Sequence, residues 1–168
     1  AIAKKLGFDV HTGFSMNIAN SLSVGVLESL NVKSLTLSPE LTLKDLASIG
    51  GRVPRGIIAY GRLPLMLTRN CPIKNGKTCQ DCKMGSFLTD RMGKNFPVVC
   101  NMGFSEILNS APIYMADRMS EIKNMDFVTF YFTKEKQETC EAVLEAYRKG
   151  KKLSNASSYT RGLYYRGA

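Results

Sequence analysis

Four of the five cysteines fall in one stretch, NCPIKNGKTCQDCKMGSFLTDRMGKNFPVVC, at C-x7-C-x2-C-x17-C spacing from Cys71 to Cys100. Thiols gathered so closely restrict the fold more than any other feature of the chain. They meet at one inorganic centre, pair as two disulfides, or stand as four unrelated groups. The inner pair, Cys79 and Cys82, forms a C-x2-C knuckle whose two thiolates can point at one ion. Nearby Gly76 and Gly85 allow a tight turn, and Lys77 and Lys83 offset negative charge. Cys71, just before Pro72, and Cys100, closing an apolar run, complete a tetrathiolate. Such a set suits structural zinc or an iron-sulfur cluster, and the residues do not separate the two.

Cysteine ligation rather than bridging fits a reducing compartment. The N-terminus, AIAKKLG, lacks the long apolar region of a signal peptide. No apolar run approaches the roughly 20 residues needed to span a bilayer, so no membrane partner and a cytoplasmic location are expected. A chain of 168 residues, 44% hydrophobic, suffices for one core. Its net charge of +9 favours an anionic partner such as RNA, against the plain alternative of an evenly basic surface.

Patterning alternates between strand and helix. Ala1–Leu6 reads as the last turn of a helix stopped by Gly7, with nothing upstream to start it, which predicts a piece of a longer protein. Phe8–Asn17 alternates as a strand with one polar face, and Ser21–Leu30 carries Leu22, Val26 and Leu30 at helical spacing, ended by Asn31. Val32–Leu37 is the next strand, closed by Ser38 and Pro39, after which Thr42 caps a helix to Ile49. Arg55–Leu67 reads as a third strand leading into Cys71, and Phe87–Phe96 as a hairpin turning at Met92-Gly93-Lys94. Ser105–Met125 reads as mostly helical despite Pro112. Asp126–Phe132 is a fourth strand and Thr133–Arg148 a fourth helix ended by Gly150. The predicted class is α/β: four mainly parallel β/α units, half of a TIM-like (β/α)8 barrel, with a cysteine-rich insertion. Residues 1–150 make the half-barrel, 71–100 the metal-binding insertion and 151–168 a basic aromatic tail. Such a half leaves strand edges uncovered, which predicts homo-oligomers unless the missing N-terminal half of the barrel is supplied.

The blocks LTLSPEL, AYGRLPLMLTRNCP, the cysteine set, LTDRMGKNFPV, EILNSAPIYMADR and YTRGLYYRG occur in this order over nearly the whole chain. Together they resemble the second half of the core domain of the collagenase-like peptidases, peptidase family U, thirty-two, nearest the branch of the ribosomal RNA hydroxylation protein. The resemblance implies a TIM-barrel-like core. It also implies a divided function, since some members are described as collagen-degrading proteases. Others hold an iron-sulfur cluster on four cysteines and take part in oxygen-independent hydroxylation of RNA or of ubiquinone precursors. The cluster ligands would fall on Cys71, Cys79, Cys82 and Cys100. One departure stands out: Leu65 and Met66 follow the Gly61 region where several relatives place their first cysteine, and Cys71 comes later.

Hydrolysis needs a nucleophile with a base, or an open metal site. The chain has one histidine, His11, and neither HExxH nor GxSxG, and four thiolates on zinc leave no open position. Cys140 sits with Val143, Leu144 and Tyr147 at helical spacing and reads as a core thiol. His11, Ser15, Asn17, Glu40, Tyr60 and Arg62 are candidates for a pocket at the strand ends; a core histidine and a helix-end charge are the plainer readings of His11 and Glu40. Arg62 and Arg69 have the fork to hold a carboxylate or phosphate. Tyr159, Arg161, Tyr164, Tyr165 and Arg166 mix rings and cations as single-strand RNA binders do, against contacts that merely close the domain. The sequence therefore supports three functions: an iron-sulfur protein assisting rRNA or tRNA hydroxylation, a peptidase, or an inactive fragment with structural zinc.

Overall fold

The computed structural model describes residues 2–73, 86–101, 103–151 and 159–166. A short helix α1 (Ile2–Lys5) ends at Gly7, whose φ of 81° is open to glycine at little cost. Strand β1 (His11–Thr12) is much shorter than the alternation of Phe8–Asn17 predicts. A 3-10 turn at Phe14–Met16 and the left-handed Asn17 break it, and Phe8 and Met16 are exposed. Helix α2 (Ser21–Ser29) is capped by the Asn20 side chain, which accepts from the Ser23 amide. Its inward residues are Val24 and Leu27, so the stripe Leu22, Val26 and Leu30 faces outward. Strand β2 (Ser34–Thr36) and helix α3 (Leu43–Ser48) follow, with Thr42 accepting from the Asp45 amide at 3.1 Å. Strand β3 (Arg55–Gly61) is almost wholly buried.

The run predicted as one strand over Arg55–Leu67 is two. It breaks after Gly61, where φ is 134° and a Cβ would lie 2.3 Å from the Tyr131 carbonyl oxygen. Strand β4 (Pro64–Thr68) then begins a separate antiparallel sheet with β5 (Phe87–Thr89), β6 (Asn95–Asn101) and β7 (Phe104–Leu108), in the order β4-β7-β6-β5. The β5–β6 hairpin matches its prediction; the Asp90 side chain accepts from the Met92 and Lys94 amides and fixes the turn. Ser105–Met125, by contrast, is not a helix. It contains β7, then β8 (Ile113–Tyr114) and a 3-10 turn at Ala116–Glu121. Pro112 lacks the donor a helix needs, and the amide and carbonyl groups of β7 are taken up by strands on both sides.

Strand β9 (Phe127–Tyr131) and helix α4 (Gln137–Lys149) complete the regular elements of the described residues; Gly150 ends α4 in the left-handed region at φ 60°. The fold is thus α/β, and the first sheet is mixed. Strands β1, β2, β3 and β9 pair in parallel in that order, while β8 pairs antiparallel with the end of β3 beyond the last residue of β2. The chain divides into two compact units, residues 1–61 with 113–168, and residues 62–112.

In the first unit the sheet curls. Thr36 and Thr129 stand on opposite sides of β3, yet their hydroxyls lie 3.3 Å apart. A flat sheet holds strands two places apart at about 9.6 Å. From beyond β1, Phe14 meets Tyr131 of β9 edge to face at 5.2 Å. On the other face Tyr60, Tyr114, Val143 and Ala146 form a buried cluster that Phe130, Phe132 and Tyr147 flank. The β3–β9 ladder slips between Ile58 and Tyr60, so Ala59 has no partner in β9. Two tyrosine hydroxyls bind there: Tyr164 donates to the Ile58 carbonyl, and Tyr147 donates to that of Ala59 while accepting from the Met115 amide.

Candidate functional site

In the second unit, register fixes where the outer cysteines stand. Thr68 at the end of β4 is level with Ser105 on β7, and Ser105 is level with Cys100 on β6. Those three residues form one row across the sheet, and Cys71 follows Thr68 by only three positions. Strand β5 starts at this same end, since Phe87 pairs with Pro97 and the Val98 amide donates to the Ser86 carbonyl. The segment between Cys71 and Ser86 therefore begins and ends at the sheet end that carries Cys100. Cys79 and Cys82 are in that segment and lie outside the described residues, as does the geometry of their knuckle.

Cys100 is exposed, and its sulfur is 3.6 Å from the hydroxyl of buried Ser105. Among the described residues no three His, Cys, Asp or Glu side chains converge on a metal position. The residues that would hold a thiolate-bound metal are these two cysteines at one sheet end and the two others in the segment that joins it on both sides. Arg62 points its guanidinium at the carbonyls of Asn109, at 2.9 Å, and Ser110, so its donors serve the fold of this unit. Arg69 is exposed.

In the first unit the proposed pocket residues separate. His11 is level with Ser34, at the N-terminal end of the parallel strands, and its Nδ1 is 2.7 Å from the Ser34 hydroxyl. Among the described residues no carboxylate is hydrogen-bonded to that ring. Asn17 and Glu40 lie at the opposite, C-terminal end. There the buried Ser38 hydroxyl donates to Asn17 Oδ1 at 2.5 Å and accepts from the Glu40 amide at 3.3 Å. The Glu40 side chain is exposed, and so is Ser15. Tyr60 is 4% exposed and packs against Tyr114 and Phe132. Ser38 holds this strand end together, and sequence reasoning treated it only as part of a turn; its Ser-Pro-Glu context was the available signal.

The C-terminal segment is woven into the first unit. Thr160 bridges to Ile113, and the Leu43 amide donates to the Tyr164 carbonyl. Tyr164 is buried, and burial drives its phenol well above the ordinary range. Arg161 grips Asp117 through two hydrogen bonds of 2.7 and 2.9 Å, donates to the Tyr114 carbonyl and lies over the Tyr159 ring. The Asp117 carboxylate raises the Arg161 pKa, chiefly through that hydrogen bond. Tyr165 is half exposed and donates to Glu121 at 2.6 Å, while Arg118 pairs with the same carboxylate at 2.7 Å. Burial and then this bond push Tyr165 up to about 12, and the Tyr165 hydroxyl followed by Arg118 holds Glu121 below its usual range. Arg166 is exposed and makes no ion pair among the described residues. Asp117, 44 residues before Arg161, offered no spacing signal that would have found it.

No family model, curated protein or solved structure matches this chain. Among the described residues no helix is long and apolar enough to cross a membrane.

Proposed function

We propose that Cys71, Cys79, Cys82 and Cys100 bind one inorganic centre, an iron-sulfur cluster ahead of zinc. In this reading the chain is the metal-bearing half of a (β/α)8-type barrel protein assisting RNA hydroxylation. The observation that carries the reading is the Thr68–Ser105–Cys100 row, at whose sheet end Cys71, Cys100 and both ends of the intervening segment stand. The barrel part rests on the Thr36–Thr129 contact, because alternate strands share each interior layer of such a barrel. The RNA part rests on the resemblance to the collagenase-like peptidase family and on the net charge of +9. A bound cluster supplies one-electron transfer, whereas zinc on four thiolates supplies structure alone. The protein's own part is to hold the sulfurs, with the Ser105 hydroxyl 3.6 Å from the Cys100 sulfur. Strands β1 and β9 have one parallel neighbour each, so a missing barrel half, or a second copy in its place, would complete the sheet.

Anaerobic purification of the chain tests the assignment. A brown protein with about four irons and matching sulfide per chain is expected, and Cys71→Ser and Cys100→Ser should each lose the metal. A colourless protein with one tightly held zinc would replace the cluster by a structural ion. Four thiols that all react freely, with no metal retained, would overturn the centre itself.

A further inference from the structure

The exposed half of the C-terminal segment encloses an open hollow of about 570 Å³ lined by Arg118, Thr160, Arg161, Gly162, Tyr165 and Arg166. Among the described residues its three guanidinium groups face two carboxylates, Asp117 with Arg161 and Glu121 with Arg118, which leaves one positive charge in excess among them. The paired arginines are fixed in direction. Arg118 gives only one described hydrogen bond of its five donors, and Arg166 gives none. The Thr160 hydroxyl accepts from the Gly162 amide, so its own proton is directed elsewhere. Beside these donors stands the half-exposed ring of Tyr165, whose hydroxyl donates to Glu121.

From this arrangement we infer that the hollow docks one phosphodiester of single-stranded nucleic acid, with Arg166 and Arg118 on the phosphate and an adjacent base on Tyr165. A single excess cation matches the single negative charge of a phosphodiester better than the near-double charge of a phosphate monoester. Planar guanidinium forks suit its two free oxygens. An aromatic face at the rim is what an unpaired base stacks on, whereas a free phosphate has no use for it. Arg161 and Tyr164 belong to the support, since the first is committed to Asp117 and the second is buried. The inference rests on the reading of nucleic acid as the partner and adds where it is gripped. It is separate from the cysteine centre.

The test is fluorescence anisotropy of a labelled ten-nucleotide oligouridylate with the full chain, over a series of salt concentrations. Arg166→Gln and Arg118→Gln should each weaken binding about tenfold and lower the slope of log affinity against log salt by about 0.7. Tyr165→Phe should bind as the parent does and Tyr165→Ala about tenfold more weakly. Arg91→Gln, the same charge loss on an exposed turn of the other unit, is the control and should leave the slope unchanged. Among the described residues Arg166 has no ion pair to lose, so its variant reports binding rather than folding. Oligonucleotide binding that these variants alter no more than Arg91→Gln does would overturn the hollow while leaving RNA as partner. No binding at low salt would overturn both. Inorganic phosphate bound more tightly than the oligonucleotide would overturn the phosphodiester assignment.

Discussion

Replacing Tyr147 with phenylalanine isolates the most consequential polar contact of the first unit. Its hydroxyl donates to the carbonyl of Ala59, the residue skipped by the β3–β9 ladder, and accepts from the Met115 amide at 2.8 Å. Ala59 and Met115 are both 0% exposed, so no solvent stands ready to replace the lost oxygen. Leaving a buried backbone group without a partner costs about 1–3 kcal/mol, and two are affected, so a loss of about 3 kcal/mol is expected. For a chain of this size each kcal/mol lowers the melting temperature by about 2–4 °C, which places the shift at about 6–12 °C. Tyr164→Phe is the internal comparison, because its hydroxyl serves one group, the Ile58 carbonyl, and should cost about half as much. Urea unfolding followed by far-UV circular dichroism measures both, with an expected midpoint shift of about 1.5 M for Tyr147→Phe at a slope of about 2 kcal/mol/M. Both variants unfolding within 0.5 kcal/mol of the parent (about the limit of resolution), or Tyr164→Phe being the costlier, would refute the assignment of these hydroxyls to the bulge.

Two glycines should respond in opposite directions. At Gly61 a Cβ would sit 2.3 Å from the Tyr131 carbonyl oxygen with φ at 134°, so Gly61→Ala should cost about 3 kcal/mol or more. Gly25, inside α2 with nothing within 4 Å of its Cβ position, should gain about 0.5–1 kcal/mol as alanine in the same urea assay. Glu28 gives a pH signature. Its carboxylate accepts from the Arg52 and Val53 amides, and the Arg52 amide above all lowers its pKa. A depressed carboxylate stabilises the fold above its unfolded value of about 4.3, and that stability is lost as pH falls through the folded value. The difference in urea midpoint between the parent and Glu28→Gln should therefore be larger at neutral pH than in acid; an equal difference at both would remove the carboxylate's role.

Much of the local structure was legible because its causes lie within a few residues of one another. Thr42 capping α3, Gly150 ending α4, Gly7 and Asn31 at helix ends, and Gly93 in the β5–β6 turn each depend on a nearby hydrogen bond or a permitted φ. The alternation of strand and helix followed from periodicity, and with it the α/β class. The interval from Ser105 to Met125 was not legible. Apolar residues at 107, 108, 113, 115 and 119 satisfy neither period cleanly, and only pairing with strands on both sides makes β7 a strand.

What the sequence determined by itself, then, was where α2, α3, α4 and the β5–β6 turn fall and which cysteines lie near one another along the chain. The folded chain alone decided which face of α2 turns inward, Val24 and Leu27 rather than the Leu22 stripe. It decided too that His11 and Asn17 lie at opposite strand ends, and that Arg161 and Tyr164 reach back across 44 and 106 residues. Caps and turns are set by steric and hydrogen-bonding terms local to the backbone. Partners chosen across such separations depend on the summed packing of the whole unit, which no short window of residues contains.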